Sequence, residues 1–335
     1  VIDMSFWHDL PKPFMILAPM EAVTDVVFRQ VVSKAAAPDL YFSEFTNATG
    51  WAAAGDKAIG GRLIKTSDER PIVAQLWGSK PEAMALLSAH CAKLGFDGID
   101  INMGCPDSSA TKSGGGAGMI RIPEVAAEMI SAAKSSGLPV SVKTRLGYSR
   151  VDEWEAWLDH ILRQDIVNLT IHLRTKKEMS KVPAHFELIP AIKALRDRVA
   201  PHTLLTINGD IETRAQALGL IEETGVDGAM IGRGVFKDPF CFAETTDWRV
   251  QYAAYKEGTQ IEYTHPRSKR TLIDLLRYHL DMYDQYAHLT GRPFDTLKRF
   301  FKIYIRDFDG AAELRDKLMH SKSTDEVRAL LNTAI

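Results

Sequence analysis

Short apolar runs recur along this chain, separated by segments long enough to form a helix. Eight of them read as strands, at residues 14–20, 40–45, 72–77, 98–102, 140–146, 168–173, 204–208 and 229–232. Several are apolar without alternation, the pattern of strands covered on both faces. The segments between them carry helix punctuation. Thr24-Asp25 precedes the apolar stretch 26–32, Pro81-Glu82 opens 83–93, and Pro123-Glu124 opens 125–134, all of them start signals. Gly95, Gly137 and Gly225 fall where helices must stop and turn toward the next strand. Strand and helix alternating eight times predicts a (β/α)8 TIM barrel in preference to an open doubly wound sheet.

Beyond about residue 240 the alternation stops. From Arg249 onward the pattern is helical and amphipathic, and this part is mildly basic, with about 15 Lys and Arg against about 12 Asp and Glu. A helix is predicted over 297–308. At about 100° per residue, Leu297, Phe300, Phe301, Tyr304, Ile305 and Phe308 share one face, and Lys298, Arg299, Lys302 and Arg306 share another. The chain therefore divides into a barrel at 1–244 and a smaller all-helical domain at 245–335.

Composition narrows the class. Hydrophobic residues make up 45% and charged residues 25%, ordinary for a globular protein with a full core. No apolar run approaches the roughly 20 residues that span a bilayer, so no membrane association is expected. No basic stretch followed by an apolar one opens the chain, and a cytoplasmic protein without a signal peptide is expected. The three cysteines, Cys91, Cys105 and Cys241, are too few and too scattered for a disulfide framework or a zinc site. Nothing calls for an obligate protein partner, which predicts a monomer.

In such a barrel, polar residues at the C-terminal strand ends share one mouth. Collecting them gives Ala18, Pro19 and Met20, then Gln75, Asn102 and Cys105, Lys143 and Arg145, His172 and Arg174, Asn208-Gly209-Asp210, and Gly232-Arg233-Gly234. The set is rich in donors and nearly free of carboxylates. It suits a polar, electron-rich ligand, and no metal site is predicted. The glycines after the last two strands stand where barrels bind phosphate through backbone N–H groups. Arg233 adds a charge-assisted contact, and Lys143 can hold a positive charge against an anion. No G-x-G-x-x-G opens a helix, so a separate dinucleotide-binding domain is not expected. Gly114-Gly115-Gly116 follows Cys105 as a mobile or close-approach segment. The thiol of Cys105 can transfer a proton, attack an electrophile, bind a metal or fill space.

These strand ends resemble, in order, the motifs of the tRNA-dihydrouridine synthases. The residues concerned are Ala18-Pro19-Met20-Glu21 through Val23-Thr24-Asp25, Asn102-Met103-Gly104-Cys105-Pro106, Val142-Lys143-Thr144-Arg145, His172-Leu173-Arg174-Thr175, Asn208-Gly209-Asp210-Ile211 and Met230-Ile231-Gly232-Arg233-Gly234. Residues 298–314 resemble the family's helical tRNA-binding domain. The resemblance implies FMN-dependent reduction of the C5–C6 bond of uridines in tRNA, with NADPH or NADH as reductant. It makes Cys105 the acid that protonates C5, since a thiol of ordinary pKa about 8.5 is largely protonated at neutral pH. Lys143 is expected at the flavin's pyrimidine edge, with Gln75, His172 and the Ala18–Met20 turn also on the flavin. Asn208, Gly209, Asp210, Gly232 and Arg233 are expected on its phosphate side. Asn102 is expected at the uracil edge, Arg145 and Arg174 on the substrate base or phosphate, and Lys298, Arg299, Lys302 and Arg306 on tRNA. Structural pairing of either mouth arginine with Asp100 or Glu44 is the competing expectation. Leu173 stands where the family commonly has a small residue, which predicts a narrower space beside the ligand. The alternative activity is an FMN-dependent barrel oxidoreductase acting on a small pyrimidine, in the manner of dihydroorotate or dihydropyrimidine dehydrogenases. The basic helical domain argues against it.

Overall fold

The computed structural model describes residues 5–259 and 268–333. The helical reading of 245–335 also covers 260–267 and 334–335, which lie outside the described residues. Nine strands form one parallel sheet: β1 (Phe14–Leu17), β2 (Tyr41–Phe42), β3 (Thr46–Asn47), β4 (Ile72–Trp77), β5 (Gly98–Met103), β6 (Val140–Arg145), β7 (Asn168–His172), β8 (Leu204–Asn208) and β9 (Gly228–Ile231). Hydrogen bonding runs β1-β9-β8-β7-β6-β5-β4-β2, with β3 also on β4. A parallel bridge from Ile16 to Leu40 joins the two ends, so the sheet closes into a barrel. Of the run predicted at 40–45 only β2 is strand, and β3 follows just beyond it; both pair with β4. The helices Val26–Ala36, Pro81–Lys93 and Pro123–Lys134 begin where punctuation placed them. Asp25 caps the first by accepting from Phe28 N–H, and Gly95, Gly137 and Gly225 all take positive φ.

Strand side chains alternate between the two faces of a sheet, and this sorts the core. Met15 and Leu17, Ala74 and Leu76, Ile99 and Ile101, Val140 and Val142, and Leu169 and Ile171 join the helices in one large apolar cluster outside the barrel. Inside, Phe14, Ile16, Ala18, Leu40, Phe42, Val73 and Met230 form a second cluster with Trp7. The remaining inward positions, on β5 to β8, are polar and buried: Asp100, Asn102, Ser141, Asn168, Thr170, Thr206 and Asn208. The barrel interior is thus apolar on one side and hydrogen-bonded on the other, and its polar side rises toward the mouth.

After β9 the helix Trp248–Lys256 packs on the outer helix Arg214–Thr224, with the Tyr252 ring over Gly219. The long helix Lys269–Thr290 packs on Val26–Ala36, the helix after β1. Phe300 stacks on Phe28 with ring centroids 4.8 Å apart, and buried residues of both regions belong to one apolar cluster. The single helix predicted over 297–308 is corrected. A 3-10 helix, Phe294–Phe300, leads into one α-helical turn, Phe301–Tyr304, and the chain leaves helical geometry at Ile305 (φ −102°, ψ 84°). The physical reason is burial. Leu297, Phe300, Phe301, Ile303, Tyr304 and Ile305 are all buried, more of the circumference than a straight amphipathic helix conceals. The freed Ile305 carbonyl accepts from Arg315 Nη1 at 2.7 Å. No helix among the described residues is long and apolar enough to cross a membrane.

Candidate functional site

Register brings the predicted strand ends to one level. Asn102 lies opposite Lys143, Arg145 opposite His172, and His172 opposite Asn208. A cavity opens there, with ≈ 620 Å³ of empty space that is partly open to solvent. Ala18, Pro19, Met20, Lys143, His172, Asn208, Gly209, Asp210, Gly232 and Arg233 all line it. Every predicted cofactor residue except Gln75 is therefore in one wall. Gly209 holds φ +108°, and a Cβ there would approach His172 Cε1 to 3.3 Å. Glycine keeps the backbone open toward the cavity at that turn.

The cavity lining carries two cations, Lys143 and Arg233, and two carboxylates, Asp210 and Glu212, with Arg233 paired to Asp210. The Lys143 ammonium has no hydrogen-bond or ion-pair partner among the described residues, and burial pulls its pKa down to about 8, with Arg145 adding to the fall and Asp100 opposing it. His172 is held neutral, its pKa well below the usual value through burial and the cations Arg145 and Lys143. Its buried Nδ1 finds no partner among the described residues, a cost a native protein carries when a ligand satisfies the group.

Beneath the mouth a hydrogen-bonded chain runs from strand to strand. Ser141 Oγ donates to Asp100 Oδ1 at 2.6 Å, and Gln75 Nε2 donates to Asp100 Oδ2 at 2.8 Å. Asn102 Nδ2 donates to Gln75 Oε1 at 3.1 Å, and Asn102 Oδ1 accepts from Gly104 N–H at 3.0 Å and Cys105 N–H at 2.9 Å. Burial pushes the Asp100 carboxyl up to about 6. Gln75 and Asn102 therefore have most of their capacity committed to building the turn that carries Cys105. Each keeps one amide N–H without a partner among the described residues.

Cys105 itself lines a second, adjoining cleft of ≈ 860 Å³, again partly open to solvent, with Glu21, Asn47, Arg62, Trp77 and Asp107. Burial raises its thiol pKa, which keeps the proton on sulfur and disfavours a thiolate nucleophile or metal ligand. The glycine-rich loop is a close-approach segment. A Cβ on Gly116 would lie 2.6 Å from the Cys105 carbonyl oxygen, and one on Gly115 would lie 2.7 Å from the Trp77 ring. Ala117 N–H donates to the same Cys105 carbonyl at 2.9 Å.

The two mouth arginines pair with neither Asp100 nor Glu44. Arg145 Nε donates to Gly104 O at 2.8 Å, and its Nη1 donates to Thr175 O and Met179 O. Arg174 binds Val182 O and the Asp210 carboxylate, and its buried Nη1 finds no partner. Asp210 also accepts from Ala184 N–H and Arg233. Burial works to raise its pKa, but Arg174 and Ala184 outweigh it and the carboxyl stays low. Leu173 does not narrow the ligand space. It is fully buried and packs in the outer cluster, because its side chain points opposite to that of His172.

Of the basic residues in the helical region, Lys298 pairs with Asp295 at 2.6 Å and Arg306 with Asp307 at 3.5 Å. Lys302 is exposed, and Arg299 Nη1 donates to Ala22 O at 3.0 Å. The break in the predicted helix means that these four do not form a straight stripe. Sequence reasoning missed Glu212 and Arg62, which line the two openings, and gave no site role to Ile211 and Glu21, quoted only within the motifs. Glu21 lies in a turn and Arg62 in a short 3-10 helix, Gly60–Leu63, and the two pair only in the fold.

A family model described as "Dihydrouridine synthase (Dus)" matches residues 16–335. The "Probable tRNA-dihydrouridine synthase 2" of Bacillus subtilis (strain 168) is 57% identical over 329 residues, covering 98% of this chain and 96% of that protein. A "Probable tRNA-dihydrouridine synthase" of Staphylococcus aureus (strain COL) is 54% identical over 329 residues, covering 98% and 95%. One from Staphylococcus epidermidis (strain ATCC 12228 / FDA PCI 1200) is 52% identical over 330 residues, covering 98% and 96%.

Proposed function

The chain belongs to the dihydrouridine synthase family, and from that premise we propose that it reduces the C5–C6 bond of uridines in tRNA, with FMN as its cofactor and NADPH or NADH as the reductant. The observation that carries this reading is the cavity at the barrel mouth. It combines an ammonium on Lys143 and a buried Nδ1 on half-buried His172, both without a partner among the described residues, with a positive-φ turn at Gly209 and a second glycine at Gly232. Those groups fit an anionic, heteroatom-rich ring system that ends in a phosphate. Asn208, Gly209, Gly232 and Arg233 would hold the phosphate. Lys143, His172 and the Ala18–Met20 turn would hold the ring, with the spare N–H of Gln75 below it. FMN, when bound, supplies the hydride that C6 of the uracil receives.

The chain's own residues then handle charge and proton. Cys105 presents a protonated thiol in the adjoining cleft and gives that proton to C5. Asn102 sets the height of the thiol through the Gly104 and Cys105 amides and offers its remaining N–H to the uracil edge. Arg145 and Arg174, tied to loop carbonyls and Asp210, shape the rim and add positive potential for a phosphate. The target base must leave the tRNA stack to reach this depth. Lys298, Arg299, Lys302 and Arg306 are assigned to tRNA backbone and shape. The protein is expected to work as a monomer in the cytoplasm.

The test is product analysis. Purified protein with FMN and NADPH is given unmodified tRNA, free uridine and orotate in parallel. Dihydrouridine is expected in the tRNA alone. Turnover of the small pyrimidines with unchanged tRNA would favour the alternative oxidoreductase.

A further inference from the structure

The helical region reaches the turn beside the cavity through two arginines, Arg292 and Arg299. Arg292 follows Gly291, the C-cap of the helix Lys269–Thr290, and its carbonyl accepts from Tyr283 Oη at 2.8 Å. Its guanidinium enters the barrel end. Nη2 donates to Glu44 Oε1 at 2.8 Å and to Oε2 at 2.5 Å, and Nε lies 3.2 Å from Asp25 Oδ2. The Glu44 side chain is 0% exposed and that of Arg292 only 18%. Glu44 Oε1 also accepts from the Ala22 N–H at 2.6 Å. Ala22 has φ +56°, a left-handed conformation that a non-glycine residue keeps only when its surroundings impose it. Its carbonyl is taken by Arg299 Nη1 at 3.0 Å. The N–H and the C=O of Ala22 are thus fixed by groups that the helical region supplies or anchors. Val23 and Thr24 N–H both donate to Met20 O, so the turn from Met20 to Asp25 moves as one unit. Met20 and its neighbour Pro19 line the cavity.

We propose that the helical region completes the cofactor-side wall, with Arg292 as a positioning residue that sets the turn 19–25 through Glu44 and Ala22. The geometry of this turn stands alone, and only the identity of the ligand rests on the functional reading above. A buried carboxylate without its cation is costly. Removal of the guanidinium leaves Glu44 to take up a proton or swing toward water, and either change loosens its hold on Ala22. Arginine suits the place because its planar fork serves Glu44 and Asp25 together, whereas an ammonium is a single point charge.

Hydrogen exchange on the full chain tests this, comparing wild type with Arg292→Gln and Arg292→Lys and adding an FMN titration of each. In Arg292→Gln the amides of 19–25 should exchange about tenfold faster or more, the loss expected for a charged hydrogen bond. FMN affinity should fall by about the same factor, tenfold, while amides of 98–103 stay protected. Arg292→Lys should give a smaller change of both kinds, and it carries the test if the glutamine variant does not fold. Unchanged protection of 19–25 in a folded variant overturns the proposal, as does faster exchange with unaltered FMN affinity. Wild-type protein that takes up no FMN overturns the functional reading and the cofactor half of the proposal, while the exchange result still decides whether Arg292 sets the turn.

Discussion

At the scale of single residues the account turns on Cys105 and Lys143, neighbours whose protons are shifted in opposite directions. Burial raises the thiol and lowers the ammonium to about 8, so neutral pH finds both protonated. Cys105→Ala should retain bound flavin and its reduction by NADPH but lose about 100-fold or more of tRNA reduction, the contribution of a positioned acid. Rapid-mixing spectroscopy of the flavin with and without tRNA reads the two halves separately. Lys143 gives the pH dependence. Its folded pKa lies below the ordinary lysine value, so its charge is present at lower pH and is lost as pH rises through about 8. The rate of tRNA reduction in wild type should fall across that range, and Lys143→Met should abolish this alkaline limb along with most activity. A variant that kept the limb would assign it to another group. The residue types at the mouth were legible from strand-end position. What the sequence could not show was commitment: Asn102 and Arg145 spend most of their hydrogen bonds on backbone groups, a fact that depends on how loops return over the barrel.

At the scale of elements, β4 and β8 match the runs expected at 72–77 and 204–208, and the other full-length strands end within a few residues of expectation. The outward faces of the full-length strands are mainly apolar, and the helices starting at Val26, Pro81, Pro123, Ile189 and Arg214 carry a side-chain cap or a proline, so local signals and tertiary burial agree there. They disagree at 297–308. The sequence there carries a helical period, yet the docking of Phe300 against Phe28 and Phe236 selects a 3-10 segment and a break at Ile305. Near that segment His279 Nδ1 lies 2.7 Å from Tyr304 Oη in a fully buried pair, and burial lowers the His279 pKa to about 3. The unfolded chain takes up this proton near the ordinary histidine value and the folded chain does not. The contribution of His279 to stability is therefore full above about pH 6.5 and falls by about 1.4 kcal/mol for each pH unit below it, toward pH 3. Urea unfolding between pH 7 and 5 should show this loss, and His279→Gln should flatten it. An equal slope in the variant would place the proton elsewhere.

At the scale of the whole molecule, barrel and helical region share one apolar cluster and one buried ion-pair group, Arg292 with Glu44 and Asp25. Close approach holds the seam as well. A Cβ on Gly61 would fall 2.5 Å from Thr290 Cα, and Gly61→Ala should destabilise the protein by about 1–3 kcal/mol, as overpacking does, measured by thermal or urea unfolding. This seam was not legible in the sequence, because Glu44 and Arg292 lie 248 positions apart and neither belongs to a periodic pattern. The basic residues act at the same scale. Replacing Lys298 and Lys302 together with alanine should weaken tRNA binding and flatten its logarithmic salt dependence by about one unit for each phosphate no longer neutralised. An unaltered slope would turn that surface away from the RNA. The central claim joins the cavity, the thiol and the RNA in one reaction, and single-turnover formation of dihydrouridine tests it most directly. Protein carrying reduced FMN is mixed with unmodified tRNA in the absence of NADPH, and modified uridine is counted against flavin oxidised. The account predicts one dihydrouridine per flavin in wild type and almost none in Cys105→Ala with its flavin still reduced. Flavin oxidation without dihydrouridine, or equal yields from the two proteins, would contradict it.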